Sequence, residues 1–242
     1  MSSILITGAS RGVGRAFALV CAASGRFRKM ILNTGSDSAA LDETARLAFE
    51  AGGPDIHIVR SVGDAGSLPY VEELRRQSGP VDVLVNNAGI SLVGLLTDLS
   101  LQDWNRLMQV NVTSLYNTCH TYVPDMVSNG SGQILNVSSV WGEVGASCEV
   151  AYSASKGAVN AFTKALAKEL APSHIRVNAI SLGITDTRKN DHLTAEEKAE
   201  ICEQIPAGYI VSPEEAAQAM LRILEMPEYF NGQIVRFDGC WI

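Results

Sequence analysis

Thr7-Gly8-Ala9-Ser10-Arg11-Gly12-Val13-Gly14 follows the apolar run Ile4-Leu5-Ile6 and leads straight into Arg15-Ala16-Phe17, so the local order is strand, glycine-rich turn, helix. Missing Cβ atoms at Gly8, Gly12 and Gly14 permit a tight turn, close approach of backbone to a pyrophosphate, and tight packing of the helix whose first N–H groups face the anion. Glycines without that context would be only a loop. Between a strand and a helix they point to a dinucleotide site, with Ser10, Arg11 and Val13 lining the same turn.

Outward from this turn, short apolar or β-branched runs recur, each followed by a longer stretch with helical spacing. The predicted strands are 3–6, 30–33, 56–60, 81–85, 133–137, 175–180 and 233–237. The predicted helices lie near 13–24, 39–51, 66–78, 103–127, 151–171, 194–204 and 213–226. Such alternation predicts an α/β chain: a single-domain doubly wound Rossmann fold with a seven-stranded parallel sheet flanked by helices. At 242 residues and 46% apolar, the chain is long enough to bury a full core as one domain spanning 1–242. No linker or repeat divides it. The least regular region, 183–212, reads as a mobile substrate flap, where Asp186-Thr187-Arg188-Lys189-Asn190-Asp191 interrupts the apolar pattern. In a doubly wound sheet ligands sit beyond the carboxyl ends of the strands, which is where chemistry is to be sought.

Bulk properties narrow the function classes. A net charge of −7 with no basic cluster argues against nucleic acid or an anionic membrane as partner. No apolar run is long enough to span a bilayer, and no basic segment with a cleavage site precedes Ile4, so a cytoplasmic protein is expected. Cys21, Cys119, Cys148, Cys202 and Cys240 are odd in number and scattered, suggesting neither a disulfide framework nor a metal site.

An NAD site commonly places an acidic side chain at the end of the second strand to bind the ribose diol. Here the chain reads Asn33-Thr34-Gly35-Ser36, and Arg11 in the turn offers a guanidinium to a 2′-phosphate. That favours NADP (NADPH). Asp37 is close enough to oppose this reading, and Arg11 as a solvated loop arginine stays an alternative.

Tyr152 and Lys156 stand four apart on a helical stretch and share one face. A phenol is a weak acid at neutral pH, and an adjacent ammonium stabilises its phenolate, so Lys156 would tune Tyr152 for proton transfer. Upstream, Gln133-Ile134-Leu135-Asn136-Val137 ends in Ser138-Ser139, placing hydroxyls where a carbonyl could be held. Taken singly, a Tyr/Lys pair and a Ser-Ser dipeptide are equally ordinary surface and loop features.

Together, Thr7-Gly8-x3-Gly12-x-Gly14, Asn86-Asn87-Ala88-Gly89, Ser139 and Tyr152-x3-Lys156 resemble the short-chain dehydrogenase/reductase family over nearly the whole chain. The resemblance implies a catalytic tetrad of Asn111, Ser139, Tyr152 and Lys156. Tyr152 would protonate the carbonyl oxygen, Ser139 would hold that oxygen, Lys156 would contact the nicotinamide ribose, and Asn111 would hold a water in a proton relay. It also implies that Asn87, Ala88 and Gly89 border the adenosine side, that Thr34, Ser61 and Val62 lie near the adenosine, and that Gly183, Thr185 and Thr187 meet the carboxamide or phosphates. Asp64, just after Val62, equally well caps a helix beginning near Gly66.

The chain departs from the family pattern where Leu182 replaces a usual proline, where Ser61 replaces an acidic or amide residue, and in the ending Asp238-Gly239-Cys240-Trp241-Ile242. The nearest subgroup by likeness is the bacterial 3-oxoacyl-ACP reductases. Val127-Ser128-Asn129-Gly130-Ser131-Gly132 and Ser173 are uncharged where that subgroup is basic, so a free ketone, aldehyde or diketone is ranked above an acyl group on an acidic carrier. Trp141, Val144, Leu92, Val93 and Leu182 are candidates for an apolar substrate wall, with Glu149 as a polar contact and packing as the equal alternative. Trp241 is a candidate cover for a neighbouring subunit's pocket. The resemblance further implies a homotetramer or homodimer. A non-catalytic dinucleotide sensor is the alternative of another class.

Overall fold

Residues along the first strand alternate between two hydrophobic layers. In β1 (Ser2–Ile6) Ile4 and Ile6 enter one core and Leu5 the other. The same parity holds in β2 (Phe27–Thr34), where Met30 and Leu32 oppose Ile31, and in β4 (Val83–Asn86), where Val83 and Val85 oppose Leu84. Successive strand side chains point to opposite faces, so strands with no polar face need helices on both sides. The computed structural model, which describes residues 2–191 and 193–242 apart from the Lys189 side chain, shows that arrangement.

Seven parallel strands form one sheet in the order β3-β2-β1-β4-β5-β6-β7, completed by β3 (His57–Val62), β5 (Gly132–Ser139), β6 (Ile175–Leu182) and β7 (Ile234–Phe237). One face is covered by α1 (Gly12–Ala23), α2 (Ser38–Gly52) and α9 (Pro213–Glu225), and the other by α3 (Leu68–Ser78), α5 (Ser114–Asn129) and α7 (Val150–Leu170). The strand order reverses between β1 and β4, which opens a crevice at their carboxyl ends. The doubly wound Rossmann fold expected from the sequence is what forms. Among the described residues no helix is long and apolar enough to cross a membrane.

Two element boundaries differ instructively. The stretch expected as one helix over 103–127 is α4 (Leu101–Met108), a π-turn at Gln109–Thr113, and then α5. The third helix starts at Leu68, so Asp64 caps no helix end; its Oδ1 accepts from Gly66 N at 2.8 Å, closing a turn ahead of α3. The remaining α-helices among the described residues are α6 (Trp141–Val144) and α8 (Ala195–Gln204), the latter opened by a capping box of Thr194 and Glu197. The region 183–212 expected as a flap contains α8 and a bridge pairing Thr185 with Val211, while His192 lies outside the described residues.

Candidate active site

The glycine turn is built so that nothing larger fits. Gly8 and Gly12 adopt φ of +65° and +54°, and a Cβ added to Gly14 would stand 2.2 Å from Gly8 O and 2.4 Å from Asn87 Nδ2. Asn87 reaches across from the β4 loop, its Nδ2 donating to Thr7 O and Gly8 O, both at 3.0 Å. Thr7, which the sequence reading left without a role, returns the link: its Oγ1 accepts from the backbone N–H of Asn87 and of Ala88, each at 3.1 Å. Arg15 ties the turn to α2 by donating to Ser10 O, Ala40 O and Thr44 Oγ1. Ser10 Oγ accepts from Thr34 Oγ1 at 3.0 Å, so these two hydroxyls join the turn to the end of β2.

Arg11 and Asp37 form an ion pair at the mouth of this turn. Asp37 is doubly committed, because its Oδ1 also accepts from Ala40 N at 3.0 Å as the N-cap of α2. At the end of β3, Ser61 hydrogen-bonds the Tyr70 hydroxyl, which also accepts from Asn33 Nδ2 at 2.9 Å. Burial pushes the Tyr70 phenol upward despite these bonds. Val62 next to it is exposed.

The four residues expected to carry chemistry converge and are all buried. Ser139 is the last residue of β5, and its Oγ accepts from the backbone N–H of Trp141, the first residue of the short helix α6, at 3.3 Å. Lys156 on α7 donates from Nζ to Val137 O at 2.7 Å and holds that ammonium 5.7 Å from the centroid of the Tyr152 ring. Asn111 sits in the π-turn, a feature frequent at functional sites. Its Oδ1 accepts from Ile90 N at 2.8 Å, while Nδ2 donates to Ile90 O and Ser155 Oγ, both at 2.9 Å. Gly89 lies between the two groups: a Cβ built there would be 3.5 Å from both Asn111 Oδ1 and Lys156 Nζ. Ile90, Ser155 and Val137 act here through neighbours or backbone, and no side-chain pattern announces that.

Around this centre, Trp141 and Leu92 pack against the cluster of Leu107, Ala151 and Tyr152. Val93 on its loop and Val144 at the end of α6 are exposed. Leu182 packs its side chain into the sheet core with Ile180, Val235 and Phe237, as strand parity at the end of β6 requires. Trp241 meets Trp141 of its own chain, with ring centroids 5.1 Å apart and planes tilted by 55°. The uncharged segment 127–132 and Ser173 lie at the amino ends of β5 and β6. An eight-residue strand separates them from Ser139 by roughly 23 Å, so their lack of charge says nothing about the pocket of the same chain.

The residues present fit a dinucleotide. The Gly8–Gly14 cradle is open to backbone-close approach at the start of α1. Across from it, Thr187 comes within 3.4 Å of a Cβ built on Gly12, and Thr185 Oγ1 is buried without a hydrogen-bond partner, an acceptor and donor set for a polar ligand. Gly183 packs directly on Asp238, which fixes where this segment leaves β6.

Comparison with known proteins agrees with this geometry. Residues 2–198 match the family described as short chain dehydrogenase. An uncharacterized oxidoreductase of Bacillus subtilis, YmfI, is 40% identical over 98% of this chain and 97% of its own length. The 3-oxoacyl-[acyl-carrier-protein] reductase FabG of Thermotoga maritima is 35% identical over 97% of this chain and 95% of its own. A crystal structure from Agrobacterium tumefaciens, of a protein whose name as a gluconate dehydrogenase is provisional, superposes with a TM-score of 0.90 at 31% identity, covering 99% of this chain and 95% of that one.

Proposed function

The chain belongs to the short-chain dehydrogenase family, an oxidoreductase family using a nicotinamide dinucleotide, and from that premise we propose that it is an NADPH-dependent reductase converting a small free ketone, aldehyde or diketone into its alcohol. Held at the Gly8–Gly14 turn, a bound nicotinamide dinucleotide would supply the hydride for the carbonyl carbon. Everything else falls to the chain. Ser139 Oγ donates to the carbonyl oxygen and orients it. Tyr152 gives its phenolic proton to that oxygen as negative charge develops there, and the Lys156 ammonium stabilises the phenolate left behind. The observation that carries this reading is the buried Lys156 ammonium held beside the Tyr152 ring by Val137 O. Asn111 Oδ1 keeps one lone pair beyond its bond from Ile90 N, facing the same small space beside Gly89 as Lys156, which suits a water in the proton path.

NADPH is supported by Arg11 and by the absence of a carboxylate in Asn33-Thr34-Gly35-Ser36. Asp37 competes with a 2′-phosphate for the Arg11 guanidinium. Asp37→Asn keeps a capping side chain and is expected to raise the NADPH:NADH ratio of kcat/KM; an NADH preference in the unmodified protein overturns the assignment. Tyr152→Phe tests the chemistry. Turnover should fall by about 10²–10⁴ while NADPH still binds; unchanged NADPH oxidation with an active ketone would remove Tyr152 as proton donor, and an unmodified protein that binds NADPH but oxidises it with no carbonyl would return the sensor alternative.

A second reading, reduction of an acyl group on a carrier protein, is favoured by relatives such as the T. maritima reductase at 35% identity. It predicts a far higher kcat/KM for carrier thioesters than for small ketones, lost on raising salt.

A further inference from the structure

Residues 238–242 follow β7 and return to the catalytic end of the sheet, where they are held from several sides. The Asp238 carboxylate accepts from Cys240 N at 3.0 Å and Ile242 N at 3.2 Å. Arg236 bridges two elements, donating from Nη1 to Ile242 O and from Nη2 to Glu143 Oε2, each at 2.7 Å. Glu143 lies two residues beyond Trp141 on α6, and its other oxygen accepts from Ser181 Oγ. Gly239 abuts the side chains of Ile205 and Ala207 at the end of the flap region, and Ala207 N donates to Gly239 O at 3.1 Å. The network therefore fixes Trp241 against Trp141, and Trp141 in turn touches both Ser139, through its backbone N–H, and the Tyr152 cluster, through its side chain.

We propose that Trp241 is a specificity-determining residue: with Trp141 it forms a rigid aromatic wall on one side of the reacting carbonyl, so that compact substituents are accepted and long or branched ones excluded. The two rings spend their facing surfaces on each other, and the segment that carries Trp241 is anchored on α6, on β6 through Ser181, and on the flap end. A wall so held yields little to a bulky substrate. The proposal rests on the carbonyl-reductase reading.

The experiment compares the full-length protein with Trp241→Ala and Trp241→Phe at saturating NADPH. The first readout needs no turnover. Two indoles this close give an exciton couplet in far-ultraviolet circular dichroism, present in the unmodified protein and lost in both variants. The second is the kcat/KM ratio for a long-chain or phenyl ketone against butanone, expected to rise by about tenfold or more in Trp241→Ala, with Trp241→Phe intermediate. Loss of the couplet with an unchanged ratio, or no couplet in the unmodified protein, overturns the proposal. Should no ketone be turned over, the reductase reading fails separately; the same size preference is then read from binding of the two ketones by tryptophan fluorescence. Tighter relative binding of the bulky ketone to Trp241→Ala sustains the wall, and equal binding overturns it. Trp241→Phe keeps a ring in place and carries the test if Trp241→Ala does not fold.

Discussion

Replacing Gly14 by alanine tests the mutual support of the glycine turn and the β4 loop. The added methyl would lie 2.2 Å from Gly8 O and 2.4 Å from Asn87 Nδ2, well inside any real carbon contact, so the two must part by most of an ångström. Parting them strains packed backbone, at about 1–3 kcal/mol. It also detaches Asn87 Nδ2 from Thr7 O and Gly8 O, and each hydrogen bond contributes about 1 kcal/mol. The expected loss is about 3–5 kcal/mol, a fall in Tm of roughly 6–20 °C for a chain of this size. Because the start of α1 moves with the turn, NADPH should also bind at least about tenfold more weakly, which removes about 1.4 kcal/mol of its stabilisation at a given concentration. Thermal unfolding by circular dichroism, with and without NADPH, reads both effects. Gly94→Ala is the control, since its Cβ meets nothing within 4 Å and its φ is not positive. A Gly14→Ala protein that melts within a degree of the unmodified one, with the same NADPH-induced rise, would refute the reasoning.

The Arg75 guanidinium beside Asp125 holds its carboxyl below the ordinary value of 3.8. A depressed carboxyl stabilises the fold fully above that ordinary value and loses the contribution as pH falls through the lower folded value. Asp125→Asn is therefore expected to lower Tm at pH 7 by roughly 1–4 °C, as for a partly exposed pair, with the gap closing in strong acid; a gap that persists there would contradict the ion-pair origin. Burial pushes the Cys119 thiol up to about 12 and the Cys21 thiol upward as well, while Cys240 is exposed. Titration with a chromogenic disulfide at pH 8 should modify Cys240 first and reach Cys21 and Cys119 only on unfolding; a Cys119→Ala protein that loses a fast-reacting equivalent would oppose this.

The seven strands were legible because β-branched and leucine-rich runs in a sheet covered on both faces leave little else to be. Their ends were less so. β2 starts at Phe27, ahead of the run at residue 30, because Arg28 and Lys29 continue the strand with side chains that look like a loop. Leu182 was open to two readings for the opposite reason: an apolar residue at a strand end looks available to a ligand, and only parity shows that it packs on the core. The four residues of the expected tetrad were singled out through ordered motifs, but what orients them is backbone, such as Val137 O and Ile90, to which side-chain spacing is blind. Arg11 with Asp37 and Trp141 with Trp241 are contacts between distant positions. No periodicity within either segment encodes them; they exist because sheet order brings the segments to one end.

The π-turn at Gln109–Thr113 has a consequence for how the chain tolerates change. One extra residue in a helical turn offsets everything after it by about 100°. α4 and α5 thus keep different phases: Leu107 is aimed at the Tyr152 cluster, and Leu115, Cys119, Tyr122 and Met126 at the sheet. Shortening this stretch by one residue would restore a seamless helix and rotate one of those faces out of contact, whichever residue was removed. Chain length through 109–113 is therefore constrained as a count, apart from the identity of any side chain in it.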